Sequence, residues 1–196
     1  MLFSTLHARG ALREEAEYDV KAAFLFNFTR FVEWPENPEK KGQPFVIAVM
    51  GEDPFGPRLD QIVLGEKIGD RPLEIRRITK LEQITSCDAL FIARSETSRL
   101  ERILVQLRDK AILTISDISD FAEMGGMVEF VTENSRIRFH INVDVAREAK
   151  LAISAKLLRP AVVVKSRKTS QNIPHEFSLS APLFAFWNIR GKEDGS

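Results

Sequence analysis

Three short, almost wholly apolar runs limit what this chain can fold into: Phe45–Met50, residues 89–93 and residues 111–115. Successive side chains of a strand point to opposite faces, so a strand apolar at nearly every position must be covered on both. Segments with helical spacing lie between the runs and supply the covers. Residues 73–76 alternate instead, as an edge strand with one wet face does. The fold class read from this is α/β, a mostly parallel sheet with helices on both faces. Counting Phe45–Met50 as the first strand, the expected order is 2-1-3-4. An antiparallel hairpin follows at one edge, from residues 127–131 and 136–141. There Ile137, Phe139 and Ile141 alternate with Arg136, Arg138, His140 and Asn142.

The helices are expected as follows. Residues 18–33 carry Val20, Phe24, Phe28 and Phe31 at helical spacing, stopped by Pro35. Asp53-Pro54 reads as an N-cap and first-turn proline ahead of Leu59, Ile62 and Val63. Ser98 with Glu101 reads as a capping box opening a helix through Leu100, Ile103, Leu104 and Leu107. Residues 116–124 read as a short helix ended by Gly125-Gly126. A last helix is expected over 143–158, halted near Pro160. The organisation is an extension over 1–17, an α/β domain over 18–164 and a tail over 165–196. In the tail a polar linker precedes Phe177, Leu179, Leu183, Phe184, Phe186 and Trp187, read as a docked strand or the start of a further region. Residues 191–196 are expected to lack structure.

Lys+Arg and Asp+Glu are both 28, so no net charge favours nucleic acid or an acidic membrane surface. The lone Cys87 excludes an internal disulfide and a cysteine-based zinc site, and no metal or cofactor is expected. No apolar run approaches the roughly 18 residues of a membrane span. The opening 17 residues hold Leu2, Phe3 and Leu6 without a continuous apolar h-region. They are not read as a signal peptide, which leaves a cytosolic protein, a misplaced start and a chain shorn of its signal as open readings.

In an open α/β sheet, ligands bind outside the carboxyl ends of the strands where the strand order reverses. That rule selects Asp53, Phe55 and Gly56 on one wall of a crevice, Arg94, Ser95 and Glu96 on the other, and Ser116 and Asp117 one strand over. The plainer role of Asp53, Ser98 and Asp117 is to cap helices. The five aromatics Phe24, Phe26, Phe28, Phe31 and Trp34 fall within 11 positions and cannot share one helix face. Phe24, Phe28 and Phe31 are assigned to the core, and Phe26 and Trp34 are the candidates for meeting a partner. No catalytic residue is selected. His7, His140 and His175 are scattered, and no nucleophile elbow, phosphate loop or dinucleotide fingerprint is present.

Several blocks resemble the YfiR-like family in order over roughly 18–161. They are residues 20–28 running to Phe31-Val32-Glu33-Trp34-Pro35, Gly51-Glu52-Asp53-Pro54-Phe55-Gly56, residues 69–77, and 87–92 with Ser95-Glu96. The strongest block is Leu113-Thr114-Ile115-Ser116-Asp117 through Phe121-Ala122 to Gly125-Gly126-Met127-Val128-Glu129-Phe130. Residues 137–139 and 153–159 complete the match. The resemblance implies a non-catalytic periplasmic regulator that holds a membrane-bound diguanylate cyclase in check. It further implies titration by an outer-membrane lipoprotein, and through both, control of cyclic-di-GMP output and biofilm. A homodimer and a small-molecule ligand are further expectations. The type regulator's cysteine pairs are missing, so an intramolecular redox switch is not expected. Two readings of other classes compete. An enzyme in the same crevice needs an acid, a base and a nucleophile converging around Ser95, Glu96, Ser116 and Asp117. A structural adaptor needs a flat surface without a pocket.

Overall fold

The structure is a computed structural model that describes residues 2–134 and 136–167, with backbone alone at 2–13, 85 and 86. Helix α1 (Leu2–Arg30) leads into a two-residue strand β1 (Val32–Glu33). Strand β2 (Phe45–Met50), helix α2 (Pro57–Val63), β3 (Lys67–Ile68), β4 (Arg71–Ile78) and β5 (Ala89–Ile92) follow. Helix α3 (Leu100–Leu107) and β6 (Leu113–Ser116) come next, then the hairpin β7 (Val128–Glu133) and β8 (Arg136–Ile141). The described chain closes with α4 (Val143–Glu148), β9 (Ala152–Ile153), α5 (Ala155–Leu158) and β10 (Val162–Val163).

The main sheet runs β10-β8-β7-β6-β5-β2-β4-β3. Its centre is parallel, β4-β2-β5-β6, which is the expected 2-1-3-4 order. The hairpin pairs Val128 with Ile141 and Glu133 with Arg136, and β7 joins β6 in parallel. The alternation of β2 explains its unbroken apolar run. Phe45, Ile47 and Val49 enter one core with Leu25, Phe28, Leu59 and Val63 from α1 and α2. Val46, Ala48 and Met50 enter a second core with Leu100, Ile103 and Leu107 of α3. Both faces are covered, so no strand position can be polar without a partner. Short strands β3 and β10 add one pairing at each sheet edge beyond the expected set.

Five helical expectations need correction. Helix α1 starts far earlier than residue 18 and stops at Arg30. Its buried line from Tyr18 on is Tyr18, Lys21, Ala22, Leu25 and Phe28, whereas Val20 points out at 45% exposure. Helix α2 starts at Pro57 after Gly56, whose φ of 53° no N-cap side chain favours. Asp53 instead accepts the Phe55 N–H at 2.8 Å in a local turn. Residues Arg94–Arg99 form a 3-10 turn leading into α3, so Arg99 holds the cap position and Ser98 caps nothing. Residues 117–125 form turns rather than a helix. Glu129, reaching across from β7, accepts the Asp120 and Ala122 amides at 3.1 Å each, and Asp120 sits at φ 64°. The expected 143–158 helix breaks at Lys150 (φ 62°) because Ala152–Ile153 pairs antiparallel with β1. Asn142, expected on the wet side of the hairpin, is buried. It donates to the Ala122 carbonyl at 2.8 Å and caps α4 by accepting from Val145 N. The apolar cluster of 177–187 and the closing 191–196 lie outside the described residues.

Candidate functional site at the strand-order reversal

The strand order reverses between β2 and β5, and their carboxyl ends lead into residues 51–56 and 94–99. The structure brings these two walls into direct contact. Gly51, at φ 91°, lies so close to the second wall that an added Cβ would stand 2.4 Å from Ser95 Oγ and 2.9 Å from Glu96 Cγ. Only glycine allows this approach. Ser95 Oγ accepts the Glu52 N–H at 2.9 Å and stitches the walls together. One strand over, the buried Ser116 hydroxyl donates to the Ile92 carbonyl at 2.7 Å and accepts from Ile118 N at 3.0 Å.

Asp117 is the hub. Its carboxylate is buried, and one oxygen, Oδ2, accepts from Tyr18 Oη and from Lys21 Nζ at 2.7 Å each. Arg94 Nε stands 3.2 Å from the same oxygen, with most of its side chain in solvent. The other oxygen, Oδ1, is buried without a hydrogen-bond partner among the described residues. Lys21 is fully buried, also pairs with Glu17 at 2.7 Å, and lies 4.4 Å from the Tyr18 ring centroid. Two cations, Lys21 and Arg94, thus face two anions, Glu17 and Asp117. A buried charge needs this pairing to remain ionised at tolerable cost. Burial raises the Tyr18 phenol above its ordinary value, and its hydrogen bond to the Asp117 charge raises it further.

The remaining predicted residues divide. Phe55 is buried, edge-on to Tyr18 at 5.7 Å and to Phe91 at 4.7 Å, so it is part of the crevice floor. Asp53 pairs with Arg77 Nε at 2.9 Å, and Arg77 also donates to the Gly56 carbonyl and binds Asp60. Glu96 is buried and pairs with Arg99 at 2.5 Å. Residue-based selection brought Arg94, Ser95, Glu96, Ser116 and Asp117 to one end of the sheet but missed Glu17, Tyr18 and Lys21. The available signal was a lysine on the same helical line as Tyr18, Leu25 and Phe28, where only a paired charge can be placed. Among the described residues neither Ser95 nor Ser116 hydrogen-bonds a histidine or a carboxylate, and no group of three or more His, Cys, Asp or Glu is placed to hold a metal ion.

A second polar cluster lies at the opposite end of the strands. Asp88 accepts both Arg71 terminal nitrogens, at 3.1 and 2.7 Å, together with Lys40 Nζ at 2.6 Å and the Val46 N–H at 2.9 Å. Burial alone would raise its carboxyl; the Arg71, Lys40 and Val46 hydrogen bonds outweigh burial and hold it below the ordinary value. Trp34 donates to the Asp88 carbonyl at 3.2 Å and packs edge-on to Phe45 at 4.9 Å. Phe26 is half-buried under the Arg30 guanidinium at 5.6 Å. Two pockets lie away from the crevice. One of about 250 Å³ includes Trp34, Lys41 and Arg71. The other, of about 370 Å³, lies between α3 and α4. No described helix is long and apolar enough to cross a membrane.

Sheet and cluster together define a doubly wound α/β arrangement whose strand-reversal end is covered by α1 through the Tyr18 and Lys21 contacts to Asp117. The chain belongs to the YfiR/HmsC-like family, a family of signalling regulators, whose model matches residues 18–162. That span runs from Tyr18 at the Asp117 hub to the first residue of β10. No curated protein shows significant similarity to the chain. Among solved structures, the ABC domain in complex with L-Trp from Streptococcus pneumonia is 12% identical with a TM-score of 0.46. That alignment covers 61% of this chain and 55% of the other, and a likeness this distant carries no argument here.

Proposed function

We propose that the chain is a non-catalytic periplasmic regulatory domain that controls a membrane-bound diguanylate cyclase, and through it cyclic-di-GMP output and biofilm formation. The observation that carries the reading is the family match, which spans the main sheet up to the first residue of β10 and includes Asp117 with its partners Tyr18 and Lys21. The geometry supports a binding role over chemistry, because both candidate serine hydroxyls are committed to backbone groups. The outer rim of the capped crevice offers Arg94, Ser95 and Asp53 to a partner or small ligand. Gly56 lines it above the buried Phe55, and Glu96, Ser116 and Asp117 hold it in shape from beneath. Phe26 and Trp34 present half-buried aromatic surface near the other end of α1, a second contact for a partner. Binding acts by population shift: the cyclase, an outer-membrane lipoprotein or a second copy of this domain each favours one assembly over another.

The test is a binding titration of the purified protein against the periplasmic portions of membrane diguanylate cyclases, with cyclase output measured in parallel. Saturable binding that lowers cyclase activity, and that weakens at least tenfold in Arg94→Glu, is the expected result. Absence of binding to every cyclase tested overturns the cyclase assignment. A thermal-shift panel of metabolites then decides whether the crevice rim is a ligand site by itself.

A further inference from the structure

The smaller pocket, of about 250 Å³, lies at the amino ends of β4, β5 and β6. Its walls carry three cations, Lys40, Lys41 and Arg71, and one carboxylate, Asp88. The other lining residues, Trp34 among them, are uncharged. The charges do not cancel. Lys40 and Arg71 both take Asp88 as ion-pair partner, at 2.6 and 2.7 Å, and Asp88 accepts the Val46 N–H as well. One buried carboxylate thus holds two cations whose side chains are only 31% and 21% exposed. Lys41 stands exposed on the rim and adds a third.

Clamping Asp88 accounts for Arg71, which grips both carboxylate oxygens. It does not account for Lys41, because Lys40 and Arg71 already exceed the Asp88 charge. The pocket is left with an excess of two positive charges, and cations drawn partly out of water are stabilised by pairing. Arg71 is also fixed in place. It donates to the Gln43 and Pro44 carbonyls and lies 5.1 Å from the Phe45 ring centroid. A cation already ordered costs a ligand little further ordering. The volume falls below the roughly 300–1,000 Å³ of drug-sized sites, so the occupant is small. Trp34, Pro35 and Ala111 offer its carbon skeleton an apolar wall.

We infer that this pocket is a binding site for a small dianion, a phosphate or a short dicarboxylate, whose two charges complete the neutralisation. It lies at the end of the sheet opposite the crevice, so it stands or falls independently of the cyclase reading. The test uses the full chain carrying Trp187→Phe, which leaves Trp34 as the single tryptophan reporter. The protein is titrated at pH 8 and constant ionic strength with inorganic phosphate, with succinate and with acetate. Phosphate, succinate or both should change Trp34 fluorescence saturably, with a midpoint on the order of millimolar or below, and should raise the melting temperature. Acetate, a single charge, should bind far more weakly. Lys41→Glu removes the charge excess altogether and should weaken binding at least about tenfold. The change falls on an exposed side chain, and circular dichroism checks that the fold is kept. Arg102→Glu, an equal change of net charge at an exposed position on α3 outside the pocket, should leave the midpoint unaltered. A response to phosphate alone assigns a phosphoryl ligand, and a response to succinate alone a dicarboxylate. Three results overturn the inference: no saturable response to either dianion, an unchanged midpoint in Lys41→Glu, and an equal response to acetate.

Discussion

Lys21 and Asp117 illustrate what one pair of side chains can impose. Each is buried, and each is the other's counter-charge across 96 residues of sequence. Removing one partner strands the other, at a cost of about 3–5 kcal/mol. Lys21→Met and Asp117→Asn should each lose roughly this much in urea denaturation. The double variant Lys21→Met/Asp117→Asn should lose clearly less than the sum, because it leaves neither charge of the pair unpaired. Additive losses would show that the pair is not coupled. Asp88 sets an acid limit in the same way. Its folded carboxyl lies below the ordinary 3.8, so its contribution is complete above that value and is lost as pH falls through the folded pKa. Stability should therefore fall with acid in that window, and Asp88→Asn should both weaken the protein at neutral pH and flatten the acid limb. Cys87 gives a third reading. Burial, with the neighbouring Asp88 charge, pushes its thiol up to about 12. Alkylation by iodoacetamide at pH 8 should be at least a hundredfold slower in the native protein than in urea. Comparable rates would contradict the burial.

Among the elements, strands were far more legible than helices, for a physical reason. A strand buried on both faces must be apolar at almost every position, and β2, β5 and β6 announce themselves so. Their order followed from connection rules, and the hairpin from its period of two. Two of the helix errors share one cause, which is tertiary capture of the backbone. Glu129 takes the amides that a 116–124 helix would have used, and β1 takes the backbone of β9 out of the expected last helix. Glu129 lies 9 and 7 residues beyond those amides, and β1 is far from β9 in sequence, so neither contact is recorded in the spacing of a helical turn. The candidate site was legible at the strand ends, where topology alone selects positions. Its α1 half was not, because the capture of Asp117 by Tyr18 and Lys21 depends on where the helix docks. The β2–α2 turn offers a sharp test at this scale. Gly51→Ala places a methyl against Ser95 and Glu96 at a φ that disfavours it, and should cost about 1–3 kcal/mol. A neutral Gly51→Ala in denaturation would show that the crevice walls are not in contact.

For the whole molecule, α1 and the hairpin belong to one core. Phe28 packs on Phe130 at 5.5 Å and on Phe139 at 5.3 Å, so α1 and the hairpin cannot melt independently. Urea unfolding followed by tryptophan fluorescence and by far-ultraviolet circular dichroism should give one coincident transition, and separated midpoints would refute this unity. The same contacts also set a schedule. A ribosome makes α1 first but β9, the partner of β1, only some 120 residues later. At about 5–20 residues per second the wait is roughly 6–25 s. For most of it, the newborn helix lacks Phe130 and Phe139, the hairpin rings that complete the packing around Phe28. Such a chain stays unfolded, and open to a holding chaperone, until almost all of the domain has been synthesised.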